Sequence, residues 1–218
     1  MLSTRQDIYL IFKKIDEGDH FEKVLFYEQN KEDIAQMEND QQVFLRYYYI
    51  HSLFEIGKYQ KVLIHIDRSI EDVFFDHKLF TGISAFENLL FIKARCLHRM
   101  LKFSESKKIL EELVGIQPFE LSFSDYLLRV YFDELQFRSS GIKVSAVILI
   151  FLSSIACGAF WILTDGSPGQ PRTGMFLGFM APAILAIVLL ITNFFFNKFI
   201  SLSRVKGILR KKRRKLFK

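Results

Sequence analysis

The residues in this sequence that are best suited to chemistry are its five histidines. No two of them are spaced four residues apart with a glutamate between, the helical pattern that binds zinc, and no cysteine pair accompanies them. We therefore expect no metal site and no cofactor. The five are His20, His51, His65, His77 and His98.

A second group with chemical potential is the acidic set Asp67, Glu71, Asp72 and Asp76. Its spacing is typical of the solvated face of a helix rather than of paired catalytic carboxylates. The sequence also lacks a glycine-rich phosphate loop, a GxSxG elbow and the kinase motifs. We therefore expect a protein that is not an enzyme.

Two long apolar segments dominate the organisation of the chain. Residues 144–164 and 175–196 contain no charged side chain, and each is long enough to cross the ~30 Å hydrocarbon layer of a membrane as a helix. The segment between them is rich in glycine and proline, as turns are. The sequence predicts a two-helix transmembrane hairpin over residues 143–197.

The net charge of +6 averages over unlike parts of the chain. Residues 1–142 hold 18 Lys or Arg and 23 Asp or Glu, whereas residues 198–218 hold ten basic side chains and no acidic one. A basic tail after a span indicates contact with anionic lipid. The predicted headgroup contacts are Arg210, Lys211, Lys212, Arg213, Arg214 and Lys215. Nucleic acid and docking on the acidic domain are the weaker alternatives for this tail.

The distribution of charge also predicts topology. Basic residues lie outside both ends of the hairpin, so both termini should be cytoplasmic. Lys13 and Lys14 interrupt the first apolar stretch, so we expect no signal peptide. Cys96 and Cys157 lie in different parts of the chain, which predicts no disulfide and fits a reducing compartment. A bacterial inner membrane is our preferred location.

Small residues recur four positions apart inside the apolar segments, a spacing that lets helices approach closely. The two spans would use these positions for each other, or for self-association into a homo-oligomer. Pro182 removes a backbone hydrogen bond, so a kink is expected near it. The helix-packing candidates are Ser154, Gly158, Gly174, Gly178 and Pro182. The two apolar segments contain no charged residue, so the sequence gives no indication of an ion pathway.

The rest of the chain has the periodicity of amphipathic helices. Apolar spacing predicts helices over 3–16, 21–28, 43–56, 59–70, 86–100 and 103–115, with residues 29–42 left open between loop and helix. A further helix should follow Pro118, capped by Ser122 or Ser124. Residues 139–141 should form a short hinge into the membrane. The predicted domains are 1–140, the hairpin 143–197 and the tail 198–218.

Two of these helix pairs have similar sequences, and the second follows the first by about forty-four residues. The stretches GKYQKVLIHI and LKFSESKKIL resemble each other and the turn and second helix of tetratricopeptide (TPR) repeats. The resemblance lies in Gly57, Tyr59, Ala94, Leu97, Phe103, Leu110, Leu113 and Pro118. Ile50, Lys93 and Ser106 depart from the family pattern. The resemblance implies an all-α, TPR-like array of helical hairpins.

In a TPR-like array, the first helix of each pair faces a concave surface that binds peptides. The resemblance places on that surface Phe44, Tyr47, His51, Phe54, Asn88, Phe91, Arg95 and His98. These residues would form a groove for a protein partner, or the aromatic ones would simply be core. The sequence thus predicts a membrane-anchored adaptor or scaffold. The alternative is a small structural subunit of a membrane transport, secretion or envelope-assembly complex, with the hairpin as its main contact.

Overall fold

The computed structural model describes residues 2–75, 85–164 and 172–216, and it describes side chains within 7–73, 85–156 and 180–214. These residues form an all-α fold. The helices are α1 (Leu2–Lys14), α2 (His20–Gln29), α3 (Lys31–Ile34), α4 (Asn39–Glu55), α5 (Tyr59–Phe75), α6 (Ala85–Arg99), α7 (Phe103–Ile116), α8 (Leu121–Arg138), α9 (Ser140–Thr164) and α10 (Arg172–Leu216).

The chain divides into two compact units, residues 1–127 with 212–218, and residues 128–211. In the first unit, α4 packs against α2, α5 and α6, and α6 packs against α5 and α7. Each of these helices buries an apolar face that it could not bury alone. The centre of the core holds fully buried aliphatic side chains: Ile50, Leu53, Val62, Ile66 and Leu89.

The helix pairs predicted from periodicity are present as α4 with α5 and as α6 with α7. The structure also resolves the stretch 29–42, where the sequence left two interpretations open. It contains the four-residue helix α3, and α4 begins at Asn39. The side chain of Gln42 donates to the carbonyl of Met37 at 2.8 Å, so the chain before α4 is held by a local hydrogen bond.

Both pairs reverse direction through the same turn. After α4, Gly57 has φ +76°, Gly57 N–H donates to Phe54 and Lys58 N–H donates to Leu53. After α6, Leu101 has φ +61°. The same two hydrogen bonds recur there: Leu101 N–H donates to the His98 carbonyl, and Lys102 N–H donates to the Leu97 carbonyl. This is the Schellman end of a helix, in which one residue adopts the left-handed conformation. The two turns lie 44 residues apart, like the sequence segments that contain them.

The positions that depart from the TPR pattern are accommodated by polar contacts. Ser106 is fully buried, and its hydroxyl donates to the Ala94 carbonyl at 2.8 Å. Lys93 forms an ion pair with Asp67 at 2.6 Å, between α6 and α5. A buried polar group is tolerated when it is hydrogen-bonded, and Ser106 meets that condition. Lys93 is only half-buried, and its charge is paired.

The acidic set predicted to be a solvated face is partly engaged in ion pairs. Asp67 pairs with Lys93, and Asp72 pairs with Arg46 of α4. Glu71 is exposed, as expected, and Asp76 lies outside the described residues. The acidic side of α5 therefore also joins this helix to both of its neighbours.

The prediction that Ser122 or Ser124 caps α8 is wrong. The helix begins at Leu121, so both serines lie within its first turn. The side chain of Glu120 accepts hydrogen bonds from the Ser122 N–H and hydroxyl, at 3.3 and 2.8 Å. A carboxylate in this position satisfies a free N–H group and complements the positive end of the helix dipole.

In the second unit, α10 supplies the clearest candidate for a membrane span. Its segment 180–214 is the one helix in the described part of the chain that is long and apolar enough by itself. Residues 121–138 and 140–156 pass the same test only together, as a pair bent by 51°. The first predicted span lies within the 25-residue α9, but most side chains beyond Ala156 are not described, so its span stays a prediction.

The tail is helical as far as Leu216, because α10 continues into it. Pro182 lies inside α10, and the helix runs on through it. The predicted hinge at 139–141 is shorter than expected, since α9 already begins at Ser140 and only Ser139 separates it from α8. The turn was predicted over residues 165–174, but residues 172–174 already belong to α10, so this part of the prediction is wrong. Residues 165–171 lie outside the described residues.

A polar cluster holds α10 to the break between α8 and α9. The Ser139 hydroxyl accepts hydrogen bonds from the side-chain amides of Asn193 and Asn197, each at 3.2 Å, and donates to the Gln136 carbonyl. Beside it, the rings of Phe132 and Phe194 meet edge to face at 5.5 Å. The side-chain amides of Asn193 and Asn197 thus have a hydrogen-bond partner at the break between α8 and α9.

The two equivalent turns predict opposite responses to substitution. Gly57→Ala should destabilise the chain by about 1 kcal/mol, because a Cβ is strained at positive φ even though no atom lies within 4 Å of it. Leu101→Gly should stabilise it by about 0.5–1 kcal/mol, since relief of a similar strain exceeds the ~0.4–1 kcal/mol entropic cost of glycine. Leu101 is 57% exposed, so little burial is lost. Unfolding of both full-length variants in detergent, followed by circular dichroism, would measure this. A loss of stability in both would show that Leu101 is not strained.

Candidate partner-binding surface

The four candidates on α4 occupy one face of that helix but have different surroundings. Phe44 is half-buried, and its ring lies 5.5 Å from Tyr9 and 4.6 Å from Tyr48. Tyr47 and His51 are also half-buried. Phe54 is buried, at 6% exposure, and therefore belongs to the core.

The candidates on α6 contact those on α4. The Asn88 amide donates to the Tyr47 hydroxyl at 2.7 Å. One heptad further along both helices, the Arg95 guanidinium lies over the Phe54 ring, 4.3 Å from its centre. The residues that the resemblance placed side by side on two helices are thus adjacent in space.

The surface continues onto α8, which the sequence predicted only as a further helix after Pro118. The ring of Phe91 lies 5.1 Å from Phe123 and 5.3 Å from Tyr126. His98 is buried, and its Nδ1 is 2.9 Å from the Tyr126 hydroxyl. The signal that could have identified Phe123 and Tyr126 is their three-residue spacing, which puts both on one face of α8.

Some of the eight predicted groove residues are therefore core residues, and the others are accessible. Phe54 and His98 are core residues, and Phe44 packs mainly against α1 and its own helix. The half-buried remainder is accessible to a partner. We call these residues the α4–α6 surface: Tyr47, His51, Asn88, Phe91 and Arg95.

Arg95 is the electrostatic centre of the α4–α6 surface. Its guanidinium lies 4.3 Å from the Phe54 ring, 5.7 Å from Phe91 and 6.0 Å from Tyr126. Among the described residues it forms no ion pair with a carboxylate. An arginine held flat by aromatic rings keeps its N–H groups free to bind an acidic group bidentately.

His51 lies beside this cation and is affected by it. Burial lowers the pKa of His51, and the nearby charges of His20, Lys23 and Arg95 lower it further, against an opposing effect of Glu55. The rings of His51 and His20 are 5.7 Å apart. His51 is therefore neutral at pH 7 and offers a hydrogen-bonding nitrogen rather than a second cation. The described residues contain no group of three or more His, Cys, Asp or Glu placed to hold a metal ion.

The membrane-packing candidates have a different outcome in each helix. Ser154 is exposed, and its hydroxyl donates to the Ile150 carbonyl of its own helix at 2.8 Å. Among the side chains of α9 that the structure describes, Ala146 and Ser153 are buried, one heptad apart. Pro182 in α10 is exposed. The surroundings of Gly158, Gly174 and Gly178 lie outside what the structure describes, so their packing role stays a prediction.

Among the predicted headgroup contacts, Arg210, Lys211, Arg213 and Arg214 are exposed and Lys212 is half-buried, while the side chain of Lys215 is not described. The guanidinium of Arg213 lies 5.3 Å from the centre of the Phe119 ring, within the first unit. Most of these cations are accessible to an anionic surface.

Changing the six basic residues 210–215 to Gln should weaken binding to anionic vesicles, because each cation near such a surface contributes ~1 kcal/mol. The salt dependence should also fall. Both the affinity and its salt dependence can be measured by binding of the detergent-solubilised protein to two sets of vesicles, one anionic and one neutral. A variant with six exposed lysines and arginines of residues 7–73 changed instead is the control. An unchanged salt profile in the tail variant would exclude lipid contact.

Comparison with known proteins gives this chain no family. No family model, no curated protein and no solved structure matches it. A functional interpretation therefore rests on the contacts, burial and charge of its own residues.

Proposed function

We propose that the chain is a membrane-anchored, TPR-like adaptor that binds a protein partner at the cytoplasmic face of the membrane. The observation that carries this proposal is the α4–α6 surface, where Arg95 lies against aromatic rings with no carboxylate partner among the described residues. Aromatic and arginine side chains are the commonest anchors of protein interfaces. The partner would present an acidic segment to Arg95 and apolar side chains to Phe91.

The TPR-like arrangement is supported by the two equivalent turns at Gly57 and Leu101 and by the contacts between α4 and α6. Repeat arrays bury their faces against their neighbours, and α6 does so between α5 and α7. The first helices of two successive pairs then supply one continuous surface.

The anchor is proposed to be a two-helix hairpin of α9 and α10. Its support is the 25-residue length of α9, the segment 180–214 of α10, which contains an apolar stretch long enough to span a membrane, and the hydrogen bonds that bring Asn193 and Asn197 to Ser139. Through those bonds Ser139, just before α9, lies next to the middle of α10, a contact that antiparallel helices would make. Both termini would then lie on one side, the cytoplasmic side of a bacterial inner membrane.

The alternative is a structural subunit of a larger membrane complex, with the hairpin as its main contact. Large apolar side chains are exposed along both helices, among them Phe151, Phe195 and Phe199. Lipid covers such side chains, and so would another membrane protein. The two proposals differ in which part of the chain retains a partner.

If the adaptor proposal holds, Phe91→Ala with Arg95→Gln should reduce recovery of partners from native membranes by about tenfold or more, since anchor residues contribute ~2 kcal/mol or more. Arg99→Gln, an exposed change on the same helix, is the control. Quantitative mass spectrometry of proteins crosslinked to the full-length chain would measure recovery. Full retention in the double variant, with loss when residues 143–197 are replaced by an unrelated hairpin, would favour the structural subunit.

The hairpin proposal predicts that tags at both termini react with an impermeant reagent on the same side of sealed vesicles. The two ends should be labelled together, either in intact vesicles or only after lysis. A cysteine placed in the segment 165–171 of a cysteine-free variant should show the opposite accessibility. Labelling of the termini on opposite faces, or release of the protein by alkaline carbonate, would exclude the hairpin.

A further inference from the structure

A cavity in the first unit is separate from the α4–α6 surface. It has a volume of about 790 Å³ and lies among α2, α3, α4 and α5. This volume is within the ~300–1,000 Å³ range of sites for small organic ligands. Its side chains come from four helices, so folding of the unit is required to assemble it.

The charge of the cavity is opposite to the charge of the residues around it. Residues 1–142 carry more acidic than basic side chains, yet four cationic side chains line this cavity against one carboxylate, Glu28. The cations are Lys31 from α3, Arg46 from α4, and Lys61 and Arg68 from α5. Residues far apart in the sequence thus concentrate positive charge at one place.

Two of these cations are neutralised and two are not. Arg46 pairs with Asp72, and Lys61 pairs with Glu28 at 2.8 Å. The side chains of Lys31 and Arg68 have no ion-pair or hydrogen-bond partner among the residues that the structure describes. Both are exposed at the cavity, so they can reach a ligand without being released from another contact.

The remaining lining offers aromatic and apolar surface. The rings of Tyr27 and Tyr49 are stacked, with centres 4.1 Å apart. Tyr49 is buried, and its hydroxyl donates to Glu28 at 3.1 Å, which fixes the carboxylate against the cavity wall. Ile34 and Ile64 add aliphatic surface. A ligand with an apolar or ring component beside its charge would contact both kinds of lining.

We propose that this cavity binds an organic phosphate, with the phosphate held by Lys31 and Arg68 and the organic part against the tyrosine and isoleucine side chains. Arginine binds phosphate oxygens bidentately, and lysine adds a mobile point charge. A dianionic ligand would neutralise the two cations that have no partner in the cavity. The proposal is independent of the adaptor function, because no residue of the α4–α6 surface lines this cavity.

His65 provides a local reporter of occupancy. It lines the cavity, and its ring lies 5.8 Å from that of Tyr49. Burial lowers the pKa of His65, and the charges of Lys31, Arg46 and Lys61 lower it further, while Glu28 raises it. A bound anion would stabilise the protonated imidazole, so the pKa of His65 should rise when the cavity is filled.

The test is calorimetric titration of the full-length protein in neutral detergent with ADP, pyrophosphate and adenosine. ADP should bind more tightly than either of the others, because it alone supplies both components. Lys31→Gln with Arg68→Gln should weaken ADP binding about 10- to 100-fold, the loss expected for charge-assisted hydrogen bonds. Glu28→Gln should strengthen it, because the change removes the one anion of the lining.

The matched control is Lys108→Gln with Arg99→Gln, which removes the same charge from exposed positions outside the cavity. It should leave ADP affinity unchanged. With ADP, the pKa of His65, followed by its NMR resonance, should rise in the wild type and in this control, but not at the same ADP concentration in the Lys31→Gln, Arg68→Gln variant. Absence of ADP binding, equal loss in the control, or equal affinity for pyrophosphate and ADP would each overturn the proposal. Circular dichroism of every variant checks that the fold is retained.

Discussion

The first unit depends on α6 being covered from two sides. A single amphipathic helix gains little by itself, because its backbone ordering offsets the burial of one narrow stripe. In α6 the fully buried Leu89 and Cys96 belong to the core cluster that α4 and α5 also supply, while the Ala94 carbonyl accepts a hydrogen bond from Ser106 of α7. Helices α5 and α7 thus cover α6 together. Burial also raises the pKa of the Cys96 thiol to about 12, so this cysteine behaves as a small apolar core residue. The direction in which α6 presents Asn88, Phe91 and Arg95 follows from this packing.

Local patterns in the sequence were sufficient to predict the helices of the two main pairs and the positions of the turns within each pair. Periodic apolar residues identify α4 to α7, and Gly57 marks an end that requires positive φ. Leu101 has no such signal, because leucine rarely adopts that conformation. It could be predicted only from the likeness of its segment to the one containing Gly57. The Glu120 cap was missed for a related reason, since serine is the commoner residue at that position.

The site was less predictable than the fold because its contacts connect distant residues. Tyr47 and Asn88 are 41 residues apart, and His98 and Tyr126 are 28 apart. The family resemblance predicted which residues of α4 and α6 share a face, but it did not indicate that Phe54 and His98 are buried within it. The cavity was even harder to predict from the sequence. Its four cations lie on three helices, and no local spacing relates Lys31 to Arg68.

The ion pairs of α5 explain how an acidic domain can contain a basic cavity. Asp67 and Asp72 bind Lys93 of α6 and Arg46 of α4, so these carboxylates are directed toward neighbouring helices. Arg68, adjacent in sequence to Asp67, is left facing the cavity without a carboxylate among the described residues. Cations that remain unneutralised cost stability through mutual repulsion, and they are tolerated when a ligand or solvent compensates for them. The packing of α5 therefore joins two helix pairs and leaves cationic side chains at a cavity that is large enough to bind an anion.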